Sequence, residues 1–300
     1  MLSSLTYNQR GIAAICGCMA AYTVNDVLVK QILMTYPIGE TIFVRGLMCS
    51  LLIGAVAAAF GHGKALRAPL SRQLVSRSLL DGLSTAGFIA ALAHMNLANV
   101  AAVLQIAPLI ITALSVMMYR EVVGWRRWTA IGIGFFGALL VIKPLPSEFN
   151  IWALVAAASA VAAAVREIQT RQIGQSVPVL VVAFWAAIGI TLFGAAFFVI
   201  EDWRTYAGPD LFQLFVAAVF VGVAIYLLAL GFRAVDLSVV APFRYIYLLT
   251  SAAGGYLVFR EVPDAWTVVG AILIVGSGIY TLHREAVRRR SITETAIPAA

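Results

Sequence analysis

The stretch Lys143-Pro144-Leu145-Pro146-Ser147-Glu148-Phe149-Asn150 interrupts a chain that is otherwise almost continuously apolar. Each of its prolines lacks a backbone donor and clashes with the preceding turn, so the stretch is a loop rather than part of a helix. What decides the fold is that the sequence starts again after it. Upstream stand Asp26-x-x-x-Lys30-Gln31-Ile32, Pro37 and Phe43. Downstream, at one constant offset and with charge sign kept, stand Glu167-x-x-x-Arg171-Gln172-Ile173, Pro178 and Phe184. A second match closes each half: Arg120-Glu121-Val122 followed by Trp128-Thr129-x-x-Gly132, and Arg260-Glu261-Val262 followed by Trp266-Thr267-x-x-Gly270. Matched charges and prolines are harder to obtain by accident than matched apolar residues, so the pattern reads as an internal duplication. Residues 1–146 form the first repeat and 147–284 the second, with 285–300 a basic tail expected to be disordered.

Composition sets the solvent. The chain is 62% hydrophobic and 12% charged over 300 residues, against about half and a quarter for a soluble domain. Apolar runs long enough to cross a bilayer recur throughout. The expected spans are residues 11–33, 39–60, 74–94, 97–119, 125–142, 151–170, 177–200, 211–233, 237–259 and 266–283. Pro69, Pro144, Pro146, Pro178, Pro209 and Pro263 fall at or near span ends, where they are tolerated. Pro108 and Pro242 fall inside the fourth and ninth spans and should break them. Cys16, Cys18 and Cys49 lie in apolar runs without a metal or disulfide pattern. The first span is too long for the apolar core of a cleavable signal.

Orientation follows from Lys and Arg. With the N-terminus in the cytoplasm, Arg10, Lys64, Arg67, Arg72, Arg77, Arg120, Arg126, Arg127, Arg171, Arg233, Arg284, Arg288, Arg289 and Arg290 lie inside, and only Lys143, Arg204 and Arg260 outside. The net charge of +7 is thereby explained by topology, and no nucleic-acid partner is expected. Both termini are cytoplasmic in an inner, plasma membrane. Five spans per half force the second half to enter the bilayer from the opposite side. The expected fold class is therefore an all-α integral membrane protein, ten transmembrane helices in a five-plus-five inverted-topology repeat around a central cavity, the plan of many secondary transporters.

Few ionisable residues remain within the spans: Asp26, Lys30, Arg45, Asp81, His94, Arg166, Glu167 and Arg244. Such groups face a cavity or a partner. Asp26 and Lys30 are spaced to pair on one helix face, as are Arg77 and Asp81. Arg45 reads first as a structural partner of Asp26 or Glu40. Arg171, near an edge, snorkels. His94, at the outer end of its span, reads as wetted and inert, though a histidine there is available as a proton carrier. Ser78, Asp81, Ser84 and Thr85 make a polar face on the third span. Gln105 stands one turn before Pro108. Pro242-Phe243-Arg244-Tyr245 puts a broken helix, a cation and a phenol together.

Two patterns carry no chemistry. Gly132-x-Gly134-x-x-Gly137 matches a dinucleotide-binding fingerprint but has no preceding strand, so it fails its context; small residues here serve helix packing, as do Gly270, Gly276 and Gly278. The arginines 288–290 anchor topology. No histidine box, paired-aspartate motif or His-Glu-x-x-His is present, which argues against an integral-membrane lipid enzyme. No metal or cofactor is expected.

Ten spans in a five-plus-five inversion, the Arg-Glu after the fourth and ninth spans and the Trp-Thr-x-x-Gly start of the next helix resemble the drug/metabolite transporter superfamily, in its EamA-type branch, over essentially the whole chain. Within that branch the resemblance is to bacterial exporters of aromatic amino acids. It implies a basket-like bundle with a cavity walled by spans 1, 3, 4, 6, 8 and 9, and export of aromatic and other neutral amino acids. An amino-acid site needs a donor for carboxylate, an acceptor for ammonium and an apolar box. Arg244, or a helix end freed by Pro108 or Pro242 beside Gln105, could meet the carboxylate. Asp26 with Asn25, Asp81 with Ser84, or Glu167 could meet the ammonium and could carry a coupling proton. Tyr22, Phe88, Trp185, Tyr226 and Tyr245 could supply the box. A single chain in a lipid bilayer suffices for this scheme. The rival within the superfamily is an exporter of drugs or lipophilic cations, which needs acids and aromatics but no essential arginine.

Overall fold

The structure, a computed structural model, describes residues 7–67, 71–119, 125–143, 150–173, 177–234 and 241–295. Pro69, Arg120-Glu121-Val122, most of the proline seam (residues 144–149) and the start of the ninth expected span lie outside the described residues, as do the side chains of Arg126, Arg127, Arg171, Arg233 and Pro242. The described residues hold helices and loops and no strand.

In chain order the helices are α1 (Tyr7–Leu33), α2 (Ile38–Ala59), the single turn α3 (Gly63–Leu66), α4 (Arg72–His94), α5 (Leu97–Leu104), α6 (Ala107–Tyr119), α7 (Trp125–Ile142), α8 (Ile151–Gln172), α9 (Val179–Ala196), α10 (Gly208–Ala234), α11 (Ile246–Phe259) and α12 (Ala265–Thr295). Polar caps and prolines set their starts. Ser71 accepts the Leu74 amide at 3.2 Å ahead of α4, and Asn150 accepts the Trp152 amide at 2.9 Å ahead of α8. Pro37 and Pro178 stand at equivalent places before α2 and α9, where a missing N–H costs nothing. Arg260 closes α11 in the left-handed conformation, φ 56°.

Both internal prolines coincide with a break. The helix stops at Leu104 and resumes at Ala107, just before Pro108. Pro242 lies in a 3-10 turn, Ala241–Tyr245, that precedes α11. At the C-terminus α12 does not end at residue 284 but continues to Thr295, since no Gly or Pro intervenes and Ala, Glu and Arg are good helix formers. A separate tail from 285 is therefore not what the described residues form.

Among the described residues, five helices are long and apolar enough to cross a membrane: Arg10–Leu33, Ile38–Ala59, Ile151–Thr170, Val179–Val199 and Gly208–Leu227. Among the rest, α4 is long but diluted by Arg72, Arg77 and Asp81, and the stretch around Pro108 is cut into shorter helices. In a bilayer such a chain buries these faces against lipid, which is why Leu51, Phe136, Leu192 and Ile272 stand exposed.

Helices pack in long pairs: α1 along α10, α4 along α8, α2 along α9, and α7 along α12, with α1 and α5 both touching α11. The α7–α12 pair approaches closest through glycines. A Cβ on Gly137 would stand 2.7 Å from the Gly270 carbonyl, and one on Gly270 2.5 Å from the Gly137 carbonyl, so neither position has room for a side chain. Gly132 and Gly276 face open space and take no part in this packing.

Candidate substrate site

Two polar clusters lie within the bundle. The first is closed. Asp26 on α1 accepts from the Tyr247 hydroxyl at 2.7 Å and from the Asn25 amide at 2.8 Å, and Asn25 Oδ1 accepts from Arg45 of α2 at 3.1 Å. All four side chains are at least nine-tenths buried, and the Arg45 Nε has no hydrogen-bond partner among the described residues. One arginine and one aspartate balance each other across an amide bridge. Buried groups this well engaged hold helices α1, α2 and α11 in register.

The second cluster is open. Asp81 on α4 takes Arg166 of α8 on one oxygen at 2.7 Å and Arg77 on the other at 2.6 Å. Arg77 also donates to the Thr170 hydroxyl at 2.8 Å. Next in sequence to Arg166, Glu167 accepts from Arg244 of the 3-10 turn at 3.2 Å. The Arg244 carbonyl in turn accepts from Gln105 at 3.4 Å, so the two helix breaks meet here. Tyr22 lies within electrostatic reach of Asp81, Arg166 and Arg244. Among the described residues, three guanidinium groups therefore face two carboxylates. Asp81 is buried, but Arg166, Glu167 and Arg244 keep 29%, 26% and 30% of their side-chain surface.

The structure thus brings Tyr22, Asp81, Gln105, Glu167 and Arg244 together, and puts Asn25 and Asp26 in the closed cluster. Pro108 supplies the break beside Gln105. The other candidates stand elsewhere. Ser84 is engaged with Ser159, its hydroxyl reaching the Ser159 carbonyl at 3.1 Å while Ser159 returns a bond of 2.6 Å, so it fastens α4 to α8. Phe88 packs into the apolar core. Trp185 meets Phe184 edge-on along α9. Tyr245 is buried against Gly278 of α12, turned from Arg244. Tyr226 is exposed on α10.

Of three local expectations one is replaced, one is narrowed and one is extended. Asp26 and Lys30 do not pair: Tyr247 takes the acid and Glu261 takes the lysine, because both partners arrive from another element already oriented. Arg45 answers Asn25 and Asp26, whereas Glu40 instead accepts the Arg204 amide at 2.9 Å. The Arg77–Asp81 pair forms as spacing suggests, but Arg166 converts it into a triad. Arg45, Arg77, Arg166 and Tyr247 complete the clusters and stood outside the candidate set. The signal for Arg166 was its place beside Glu167, which sends two opposite charges to two different helices. Among the described residues no group of three or more His, Cys, Asp or Glu is placed to hold a metal ion.

Comparison with known proteins places this geometry. The EamA-like transporter family matches residues 9–143 and again residues 150–282. The chain is 26% identical over 287 residues to an S-adenosylmethionine uptake transporter of Rickettsia prowazekii, covering 95% of this chain and 96% of that one. It is 27% identical over 263 residues to the pseudopaline exporter of Pseudomonas aeruginosa, covering 85% and 89%. It is 28% identical over 190 residues to a riboflavin transporter of Vibrio cholerae, covering 63% of each. A solved crystal structure, 20% identical, superimposes with a TM-score of 0.64 over 92% of this chain and 96% of the other, a likeness of fold.

Proposed function

This chain belongs to the EamA-like transporter family, and on that premise we propose that it carries small metabolites bearing an α-amino-acid head group across a bilayer. Aromatic and other neutral amino acids belong to that class. So does S-adenosylmethionine, named for one relative, through its methionine moiety. Riboflavin lacks such a group, so the relatives' names do not choose the cargo by themselves.

The observation that carries the reading is the arginine excess of the open cluster. Among the described residues, three cations against two acids leave one guanidinium charge for a ligand carboxylate. Arg244 is the best placed, since its pairing with Glu167 is the longest of the three and both side chains are partly open. A substrate that draws Arg244 onto its carboxylate brings its ammonium close to Glu167, the present partner of that arginine. Tyr22 stands alongside for an aromatic or apolar portion. A bare lipophilic cation would meet a cluster already positive.

The path is an inverted repeat working by alternating access. Exchange of the halves maps α1 onto α8, α2 onto α9 and α4 onto α10. It then turns the α1–α10 pairing into α8–α4 and leaves α2–α9 and α7–α12 unchanged, all of which occur in the packing. The two family matches on either side of the seam agree with it. The same reading puts both termini in the cytoplasm of an inner membrane, lets a monomer suffice, and leaves the acids available for a coupling proton.

Counterflow of labelled L-phenylalanine and S-adenosylmethionine in proteoliposomes tests the proposal. Arg244→Ala should lower kcat/KM roughly ten- to a hundredfold, the loss of one charged hydrogen bond of about 1.5–3 kcal/mol. Arg244→Lys should recover part of it. Intact transport of a lipophilic cation with no flux of either probe overturns the proposal in favour of drug export.

A further inference from the structure

At the opposite end of the bundle, the last turn of α1 meets the loop between α11 and α12. Lys30 Nζ forms an ion pair with Glu261 Oε1. The lysine also donates to the Met95 carbonyl at 2.7 Å and stands 5.1 Å from the Phe259 ring centroid. The other Glu261 oxygen accepts the Leu97 amide, at the start of α5, at 2.8 Å. This pair forms part of the wall of a cavity of about 580 Å³, with Gln31, Met34, His94, Asn96 and Phe259 also at its edge. His94 is stacked on Trp152, centroids 3.7 Å apart and planes 8° from parallel, so the rim carries a flat aromatic surface.

We propose that this cavity is a second substrate subsite, a vestibule in which a zwitterionic α-amino acid inserts between Lys30 and Glu261. The inference rests on the amino-acid reading of the arginine cluster. Among the described residues, Lys30 and Glu261 are the only oppositely charged pair lining this cavity, and each has a second contact that survives separation: the Met95 carbonyl for the lysine, the Leu97 amide for the glutamate. The pair can therefore part slightly without leaving either charge bare, which is the usual penalty for opening a buried ion pair. A lone anion would give Lys30 a new counter-charge but leave Glu261 with its amide contact and no cation, and a lone cation would do the reverse. An α-amino acid carries both charges on one carbon and satisfies both, with its side chain against Phe259 or the His94–Trp152 stack. Because Lys30 lies on α1 and Glu261 beside α11, occupancy loosens a tie between the two halves at this end. Substrate arrival and opening become one event.

The test uses the full chain in proteoliposomes, with Cys16, Cys18 and Cys49 replaced by alanine and Met34→Cys introduced at the exposed rim. A membrane-impermeant thiol reagent labels Met34→Cys, and L-phenylalanine and S-adenosylmethionine are compared with their decarboxylated counterparts. A zwitterionic probe should slow labelling about tenfold when present at about ten times its dissociation constant. The decarboxylated forms should protect little, and the Lys30→Gln/Glu261→Gln double variant should abolish protection by either zwitterion. Equal protection by zwitterion and amine overturns the vestibule. So does normal flux in the same vesicles without any protection, which leaves the transport reading standing. No flux of either probe together with no protection overturns both.

Discussion

The two clusters use the same chemistry and differ in what surrounds it. Around Asp26, one arginine, one acid, an amide and a phenol close on one another, and all are buried. Around Asp81 and Glu167, three arginines share two acids, and three of the five side chains keep about a quarter to a third of their surface. A balanced and sealed set has no net charge left to offer a ligand and no surface to offer it from, and its free energy goes into fixing helices. An unbalanced and open set is less effective as a brace because water competes for it, and it retains capacity for a charged guest. Burial and charge balance together separate the two roles; the presence of an intramembrane aspartate does not.

The largest effect should come from breaking the closed set. Asp26→Ala leaves Arg45 buried without its counter-charge and removes the acceptor of the Tyr247 hydroxyl. It should lower stability by about 3–5 kcal/mol, read as a clear drop in the thermal midpoint of the detergent-solubilised protein. Tyr247→Phe deletes one donor and leaves the Asn25 bond in place, so about 1 kcal/mol is expected. If Asp26→Ala folds normally and loses only transport, the closed cluster belongs to the transport machinery and the distinction falls.

The open set should answer in the opposite way. Arg166→Gln removes one cation from a partly solvated triad in which Arg77 still serves Asp81. Stability should change by less than about 1 kcal/mol, while KM for a carboxylate-bearing probe rises about tenfold, equivalent to about 1.4 kcal/mol. A fall in thermal midpoint as large as that of Asp26→Ala, with KM unchanged, would make the triad a second brace.

Much of this was legible before any coordinates. Long apolar runs placed the helix limits at Leu33, His94, Trp125 and Ile142, because in a membrane chain this signal has little competition. Pro108 and Pro242 marked both breaks for a local reason, the missing donor. Side-chain partners were harder. Spacing along one helix suggested Asp26–Lys30, but partners from other elements, Tyr247 and Glu261, won both ends. Ser84 looked like cavity wall because a polar face is visible in sequence, whereas its reciprocal bonds to Ser159 depend on how α4 lies against α8. Tyr245 and Arg244 are neighbours in sequence but diverge in a 3-10 turn, one onto α12 and the other onto α8.

The smallest expected effect concerns a carboxylate outside both clusters. Asp264 precedes α12 and accepts the Thr267 amide and hydroxyl, each at 3.0 Å, with Lys143 at 3.2 Å. Burial pushes its carboxyl up, but the Thr267 donors and the Lys143 ammonium outweigh it and hold the group below its ordinary value. A depressed folded value means that the stabilisation is present above about pH 4, the range of a free carboxylate, and is lost as pH falls through the folded value. Its side chain is 41% exposed, so the ion pair is screened and the helix cap dominates. Asp264→Ala should lower stability by about 1 kcal/mol at neutral pH, and Asp264→Asn, which keeps a capping oxygen, by less. As pH falls below the free-carboxylate range and through the folded value, the difference between the parent chain and the Asp264→Ala variant should shrink. Lys143→Ala matching the full loss of Asp264→Ala would show that the charge, not the cap, sets the contribution. The acid would then resemble the paired carboxylates of the open cluster more than a helix terminus.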